Sequence, residues 1–172
     1  MKKIFLLLFF IFFNFNFAAA EINLAFIDFD KVLSTSKPGL SIINQLDDIN
    51  SKNENKLISI AEKLKKQETE LIAKKNVLSE SEFQSSVKKL KLKIKEYNDN
   101  RNEINNDFNK LKIDSTNKLL KLINPILINY SNEKSISLIL NKKNLIIAKA
   151  EFDITDEIIK IIDKQIQQFK IE

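Results

Sequence analysis

Apolar residues recur along most of this chain at alternating steps of four and three, the spacing of a helix that offers a narrow seam to a partner helix. The first series is Ile42, Leu46, Ile49, Asn53, Leu57, Ile60, Leu64, Gln67 and Leu71. Its single pair of consecutive fours is a stutter, which unwinds a supercoil locally. The pattern lapses at Leu78, where Ser79-Glu80-Ser81-Glu82 fits a capping box: the Ser79 hydroxyl accepts from the Glu82 amide and the Glu82 carboxylate from the Ser79 amide. A second helix starts there, so the tip of a hairpin is expected near 76–81. The returning series is Phe83, Val87, Leu90, Ile94, Tyr97, Arg101, Ile104, Phe108, Leu111, Ser115, Leu119 and Leu122. No Gly or Pro interrupts the 85 residues from Leu40 to Asn124, which Pro38, Gly39 and Pro125 bracket. Each arm of about 40 residues extends about 60 Å at ~1.5 Å per residue.

Short apolar runs flank this hairpin. Ile22 to Phe29 sets Ile22, Leu24 and Phe26 on one face of a strand and Ala25, Ile27 and Phe29 on the other, so both faces need cover. Asp30 to Lys37 reads as a polar passage with at most one helical turn before Pro38-Gly39 redirects the chain. On the return, Asn124-Pro125 predicts a kink, with Pro125 in the first turn of a helix continuing through Glu133. Ile136 to Leu140 and Leu145 to Ala150 surround Asn141-Lys142-Lys143-Asn144 and predict a β-hairpin. Thr155 ahead of Asp156 and Glu157 predicts an N-cap with acids in the first turn. Ile158, Ile159, Ile162, Ile166 and Phe169 then give a last helix one apolar face.

The expected fold class is α+β, mainly α. A small three-stranded β head with a capping helix, from residues 21–39 plus 125–172, carries a long antiparallel coiled-coil arm, residues 40–124. A head of about 65 residues buries only about 60% of its unfolded surface, and one helix cannot cover three strands that are apolar on both sides. Self-association supplies the missing burial, with Ile22, Leu24, Phe26, Leu138, Leu140 and Ile146 as the candidate oligomerisation contacts.

Composition removes most enzyme chemistry. The chain has no His and no Cys, hence no side chain with an ordinary pKa near neutrality, no imidazole ligand and no thiolate nucleophile. With Gly39 as the only glycine, a glycine-rich phosphate loop is excluded. Asp47/Asp48 and Asp156/Glu157 are adjacent acids that diverge by about 100° on a helix; they read as surface and capping positions. No catalytic residue, metal or cofactor is expected.

Residues 1–20 have the form of an export signal: Lys2 and Lys3, an apolar stretch from Ile4 to Phe17, then Ala18-Ala19-Ala20. That apolar stretch is 14 residues long. As a helix it reaches about 21 Å, short of the ~30 Å hydrocarbon core of a bilayer. Cleavage is therefore expected, leaving Glu21 first in an exported, periplasmic chain with no thiol for a lipid anchor and no disulfide. Without Lys2 and Lys3 the mature chain holds 26 basic and 23 acidic residues, a net of +3. The excess is uneven, for Lys52 to Lys95 includes 12 lysines and only six acids. Lys63, Lys65, Lys66, Lys74, Lys75, Lys88, Lys89, Lys91, Lys93 and Lys95 are the candidates for an anionic surface or acidic client. A merely solvated helical face is the plainer alternative.

Both ends of the chain carry a resemblance. Ala25-Phe26-Ile27-Asp28-Phe29-Asp30-Lys31-Val32-Leu33, Pro38-Gly39 before the hairpin, Pro125 on the return, and Asp153-Ile154-Thr155-Asp156-Glu157-Ile158-Ile159 resemble the Skp/OmpH family of periplasmic chaperones. The resemblance implies a jellyfish-like homotrimer, its heads joined into a small β-barrel body and its arms hanging around a cavity. It implies an ATP-independent holdase that encloses unfolded outer-membrane β-barrel proteins and prevents their aggregation, with anionic lipid or lipopolysaccharide as a further partner. The family's lipid-binding residues do not transfer singly, because no motif fixes the register of these lysines. The alternative is a structural or anionic-surface-binding exported coiled coil, which predicts a longer seam, an anchor or repeats. Nucleic acid is disfavoured by export and by Phe83 being the sole stacking candidate among the lysines just named.

Overall fold

A computed structural model of the chain describes residues 22–171; the expected export signal lies outside them. The order is strand β1 (Leu24–Ile27), helix α1 (Phe29–Thr35), helix α2 (Lys37–Ala73), helix α3 (Glu80–Glu133), strand β2 (Leu138–Asn141), 3-10 turns at Lys142–Asn144 and Ala150–Phe152, and helix α4 (Thr155–Gln165). Helix dominates, as the periodicity requires.

Local chemistry explains where the helices begin. Asp28 Oδ1 accepts from the Lys31 amide at 3.0 Å and starts α1, which is a full short helix rather than the polar passage expected. One residue later Ser36 caps α2, its Oγ accepting from the Gly39 amide at 3.2 Å. Pro38 and Gly39 therefore lie inside the first turn of α2 instead of before it. Pro tolerates that turn because its missing N–H has no intrahelical partner there. Gly39 is required by space: a Cβ at this position would sit 2.1 Å from the Leu33 carbonyl oxygen, where α1 turns back against α2.

The break between the long helices runs from Lys74 to Ser79, and the Ser79/Glu82 capping box is complete. Helices α2 and α3 pack antiparallel, with Lys93 Nζ donating to Gln67 Oε1 at 2.9 Å across the pair. Helix α3 then runs unbroken through Pro125 to Glu133; the carbonyl Pro125 leaves without a helical donor belongs to exposed Lys121, which water can serve. The returning seam departs from its expected course near the head. Leu122 is exposed, and the buried positions are Ser115, Leu119, Ile123, Ile126 and Tyr130. The steps there, four, four, three and four, follow the wider face of a helix packed on several elements rather than a strictly alternating seam. The helix closes on Ser135 at φ 53°, with the Ile136 amide donating to Ser131 O at 2.8 Å, a Schellman ending built without glycine.

The expected three-stranded head with a β-hairpin is corrected. Among the described residues the sheet has two strands, β1 and β2, parallel, pairing Leu24 with Leu138 and Ile27 with Asn141. Its connection is the whole helical arm, which suits a parallel pair because such pairs need a long crossover. Asn141 turns the chain instead of extending it: its side chain accepts from the Lys143 amide at 3.0 Å and Leu145 N donates back to Lys142 O. The second edge of β1 is occupied as well, by a bridge from Phe26 to Asp153 and a bond from Ile154 N to Phe26 O. Leu145 to Lys149 is left without a strand partner among the described residues.

One core cluster joins these parts: Ala25, Ile27 and Val32 from the N-terminal unit, Ile42 and Leu46 from α2, Leu119, Ile123, Ile126 and Tyr130 from α3, and Ile154, Ile158, Ile162 and Phe169 at the C-terminal end. It reaches into the root of both long helices. Beyond that root, from residue 47 to 114, no residue is buried.

Candidate functional site

Two surfaces stand out, an apolar patch on the head and the basic arm. A polar junction holds the head patch in place. Asp153 Oδ1 accepts from the Thr155 amide at 3.0 Å and from its hydroxyl, while Thr155 Oγ1 accepts from the Asp28 amide at 2.9 Å. Thr155 is thus the first residue of α4, served by Asp153, and not the N-cap itself. Lys142 Nζ lies 3.6 Å from Asp28 and 3.7 Å from Asp153, bridging both carboxylates. Partial burial pushes the Asp153 pKa up, but the Thr155 hydrogen bonds and Lys142 outweigh it and hold the carboxyl below its usual range. This junction ties the end of β1, the turn after β2 and the start of α4 together.

Around it the six expected oligomerisation residues divide. Ile22, Leu24, Leu138 and Ile146 are exposed, with Ile146 at 99%, and Leu140 is half-buried. Phe26 is already closed off within the protomer at 6% exposure, because the 153–154 segment pairs beside it. Periodicity did not mark Ile147, 90% exposed, or Phe152, also exposed; the apolar run from Leu145 to Ala150 was the available signal for Ile147, and Phe152 lies beyond it. A groove of about 560 Å³ opens beside the patch, lined by Ile22, Leu24, Tyr130, Lys134, Phe152 and Glu157. In it the Tyr130 hydroxyl donates to Glu157, and burial, with that carboxylate, raises the Tyr130 pKa to about 12.

On the arm all ten candidate lysines are exposed. Lys63, Lys65, Lys66, Lys74 and Lys75 come from α2 and its end, Lys88, Lys89, Lys91, Lys93 and Lys95 from α3. The antiparallel pairing brings Lys63 and Lys93 to one cleft with Ile60, Leu64, Gln67 and Tyr97, about 300 Å³ in volume. Acids temper the group at two points: Lys66 lies 4.0 Å from Glu70 and Lys95 2.6 Å from Asp99. Such exposed pairs contribute little stability, so the arm keeps its basic surface. Among the described residues no helix is long and apolar enough to cross a membrane.

Comparison with known proteins fits this arrangement. The family model for outer membrane protein (OmpH-like) matches residues 23–162. The chain belongs to the OmpH-like family. Membership supports a chaperone role. A crystal structure at 2.83 Å resolution of a Caulobacter crescentus CB15 chain, described as an OmpH-like outer membrane chaperone, has the same fold at 15% identity. Its TM-score is 0.81, covering 89% of this chain and 90% of that one. No curated protein matches the chain. The OmpH-like match spans β1, both long helices, β2 and most of α4, so it takes in the head and the arm alike.

Proposed function

We propose that this OmpH-like chain is an ATP-independent periplasmic holdase that binds unfolded outer-membrane proteins between helical arms and prevents their aggregation. Its working form in this reading is a homotrimer. Residues 21–39 with 125–172 form the oligomerisation head, residues 40–124 the arm, and residues 1–20 a cleaved export signal. The observation that carries the reading is the split between a sealed root and an unsealed arm: from residue 47 to 114 nothing is buried. An unfolded client must be held without being trapped, which suits many weak contacts on a long, yielding surface better than one deep pocket. The exposed Ile22, Leu24, Leu138, Ile146 and Ile147 support self-association, since an apolar patch of this kind is costly to leave in water.

The test is light scattering as a urea-unfolded outer-membrane barrel protein is diluted into buffer with the mature chain and no ATP. Aggregation should be suppressed at one trimer per client. Unchanged aggregation with a folded chain would overturn the reading. The runner-up, a structural or anionic-surface-binding coiled coil, draws on the basic arm. Reversing Lys63, Lys65, Lys66, Lys88 and Lys89 to Glu should leave assembly intact and weaken retention on anionic vesicles; unchanged retention returns these lysines to a solvated face.

A further inference from the structure

The apolar pattern extends α4 to Phe169, but the helix ends at Gln165. The chain past it does not leave the surface. Residues 166–171 cross the root of the arm without regular structure, and Phe169 is buried at 5% exposure. The Phe169 carbonyl oxygen accepts two hydrogen bonds from α2, from Ser41 Oγ at 2.9 Å and from Gln45 Nε2 at 2.7 Å. Gln45 Oε1 in turn accepts from the Ile171 amide at 3.2 Å. One side-chain amide thus serves the backbone at 169 and at 171, much as a neighbouring strand would. Lys118 Nζ of α3 stands 5.8 Å from the centre of the Phe169 ring, within cation–π range. Ile166 and Ile171 pack against the same core.

This segment therefore grips both arm helices, and it does so at a particular level. Leu46 and Ser115 are the last buried residues toward the tip, so residues 166–171 lie where the core gives out. The Ile166 amide donates back to Ile162 O of α4 at 2.7 Å; beyond it the segment's backbone is held by the side chains of Ser41 and Gln45 on α2. Lifting the segment uncovers Phe169 and the packed faces of Ile166 and Ile171, whereas the fully buried Ile27, Ile123, Ile158 and Ile162 belong to other elements. A short unit with such attachments opens well before the global fold does.

We propose that residues 166–171 are a strap that sets how far α2 and α3 can part at the arm root. When it is seated, the root of the arm is continuous with the head core; when it lifts, the first turns of α2 lose their outer cover and the arm gains a hinge. In the chaperone reading, on which this last clause rests, lifting widens the space between arms.

Hydrogen exchange on the full mature chain, with no client present, tests the strap directly. In Gln45→Ala and Phe169→Ala, amides of residues 41–49 and 112–118 should exchange about tenfold faster, while those of Ile27 and of 158–162 keep their protection. Unchanged exchange at the arm root, or equal acceleration throughout the head, would overturn the strap. Gln45→Ala removes no core volume and carries the test alone if Phe169→Ala does not fold. Because exchange is read without client, failure of the strap leaves scattering in the wild-type chain unaffected, and failure of the chaperone reading leaves the exchange pattern intact.

Discussion

Leu119 and Leu64 sit on facing seams of the same helix pair, yet Leu119 is fully buried and Leu64 only partly so. At the root each seam residue has a third neighbour, from β1, α1, α4 or the 166–171 segment, and the layer is closed on every side. Along the distal arm a seam residue has only its opposite helix, and water reaches the remainder. The difference teaches that one periodic pattern produces two kinds of structure, depending on how many elements converge on it. Burial is concentrated at the root, and contact with water runs along the arm.

Truncating one residue in each region is the most forceful way to break this contrast. Ile123→Ala should cost about 3 to 4 kcal/mol, because a sealed site cannot collapse onto the missing atoms, whereas Leu64→Ala should cost about 1 kcal/mol. Thermal unfolding followed by circular dichroism reads both; equal losses would mean the arm is as closed as the head. Gly39→Ala comes next. The added Cβ meets backbone, the Leu33 carbonyl at 2.1 Å, so α1 and α2 must separate, and a net loss of roughly 2 kcal/mol is expected despite the better helix propensity of Ala. Asn55→Ala, at an exposed helical position of the arm, should be neutral or slightly stabilising.

Titration sharpens the contrast further. Burial and Glu157 lift the Tyr130 pKa to about 12 from an ordinary 10.0. A raised pKa means the folded state favours the protonated phenol. Its contribution is complete below pH 10.0 and is lost as pH rises toward about 12. In a Tyr97→Phe protein, which leaves Tyr130 as the one tyrosine, tyrosinate absorbance should appear only toward that upper value. An ordinary midpoint would show the groove to be open. Asp153 gives the acid counterpart. Its pKa is depressed, so the stability it lends is present above the ordinary carboxylate range and fades as pH falls through the folded value; Asp153→Asn should flatten that acid limb. The smallest effect is expected at Ser135, φ 53°, where Ser135→Gly relieves the left-handed conformation and should stabilise the chain by about 0.5 to 1 kcal/mol in denaturant unfolding.

Much of the arm was readable because its signals are local. The four-three spacing and the Ser79/Glu82 box lie within a few residues of the atoms they satisfy, and both long helices follow from them. The head was harder for the opposite reason. Leu122 continues the seam by count, yet Ile123 is buried, since partners from β1 and α4 set the rotation of α3 there. The run at 145–150 has strand character but no strand, because β2 finds its partner in residues 24–27, over a hundred positions earlier. Among the candidate residues, the exposure of the lysines was legible because it follows from helix phase. Phe26 was not, because its cover comes from Asp153 and Ile154.

Sequence alone dictated the two long helices, the turn between them, the basic charge of the arm and the absence of His and Cys. These rest on periodicity, capping and composition, which act over a turn or two of chain. Tertiary structure decided the parallel pairing of β1 with β2, the closed root around Leu46 and Ser115, and the path of residues 166–171. Each depends on which distant segment arrives to satisfy a backbone edge or fill a layer, and no local pattern encodes that arrival.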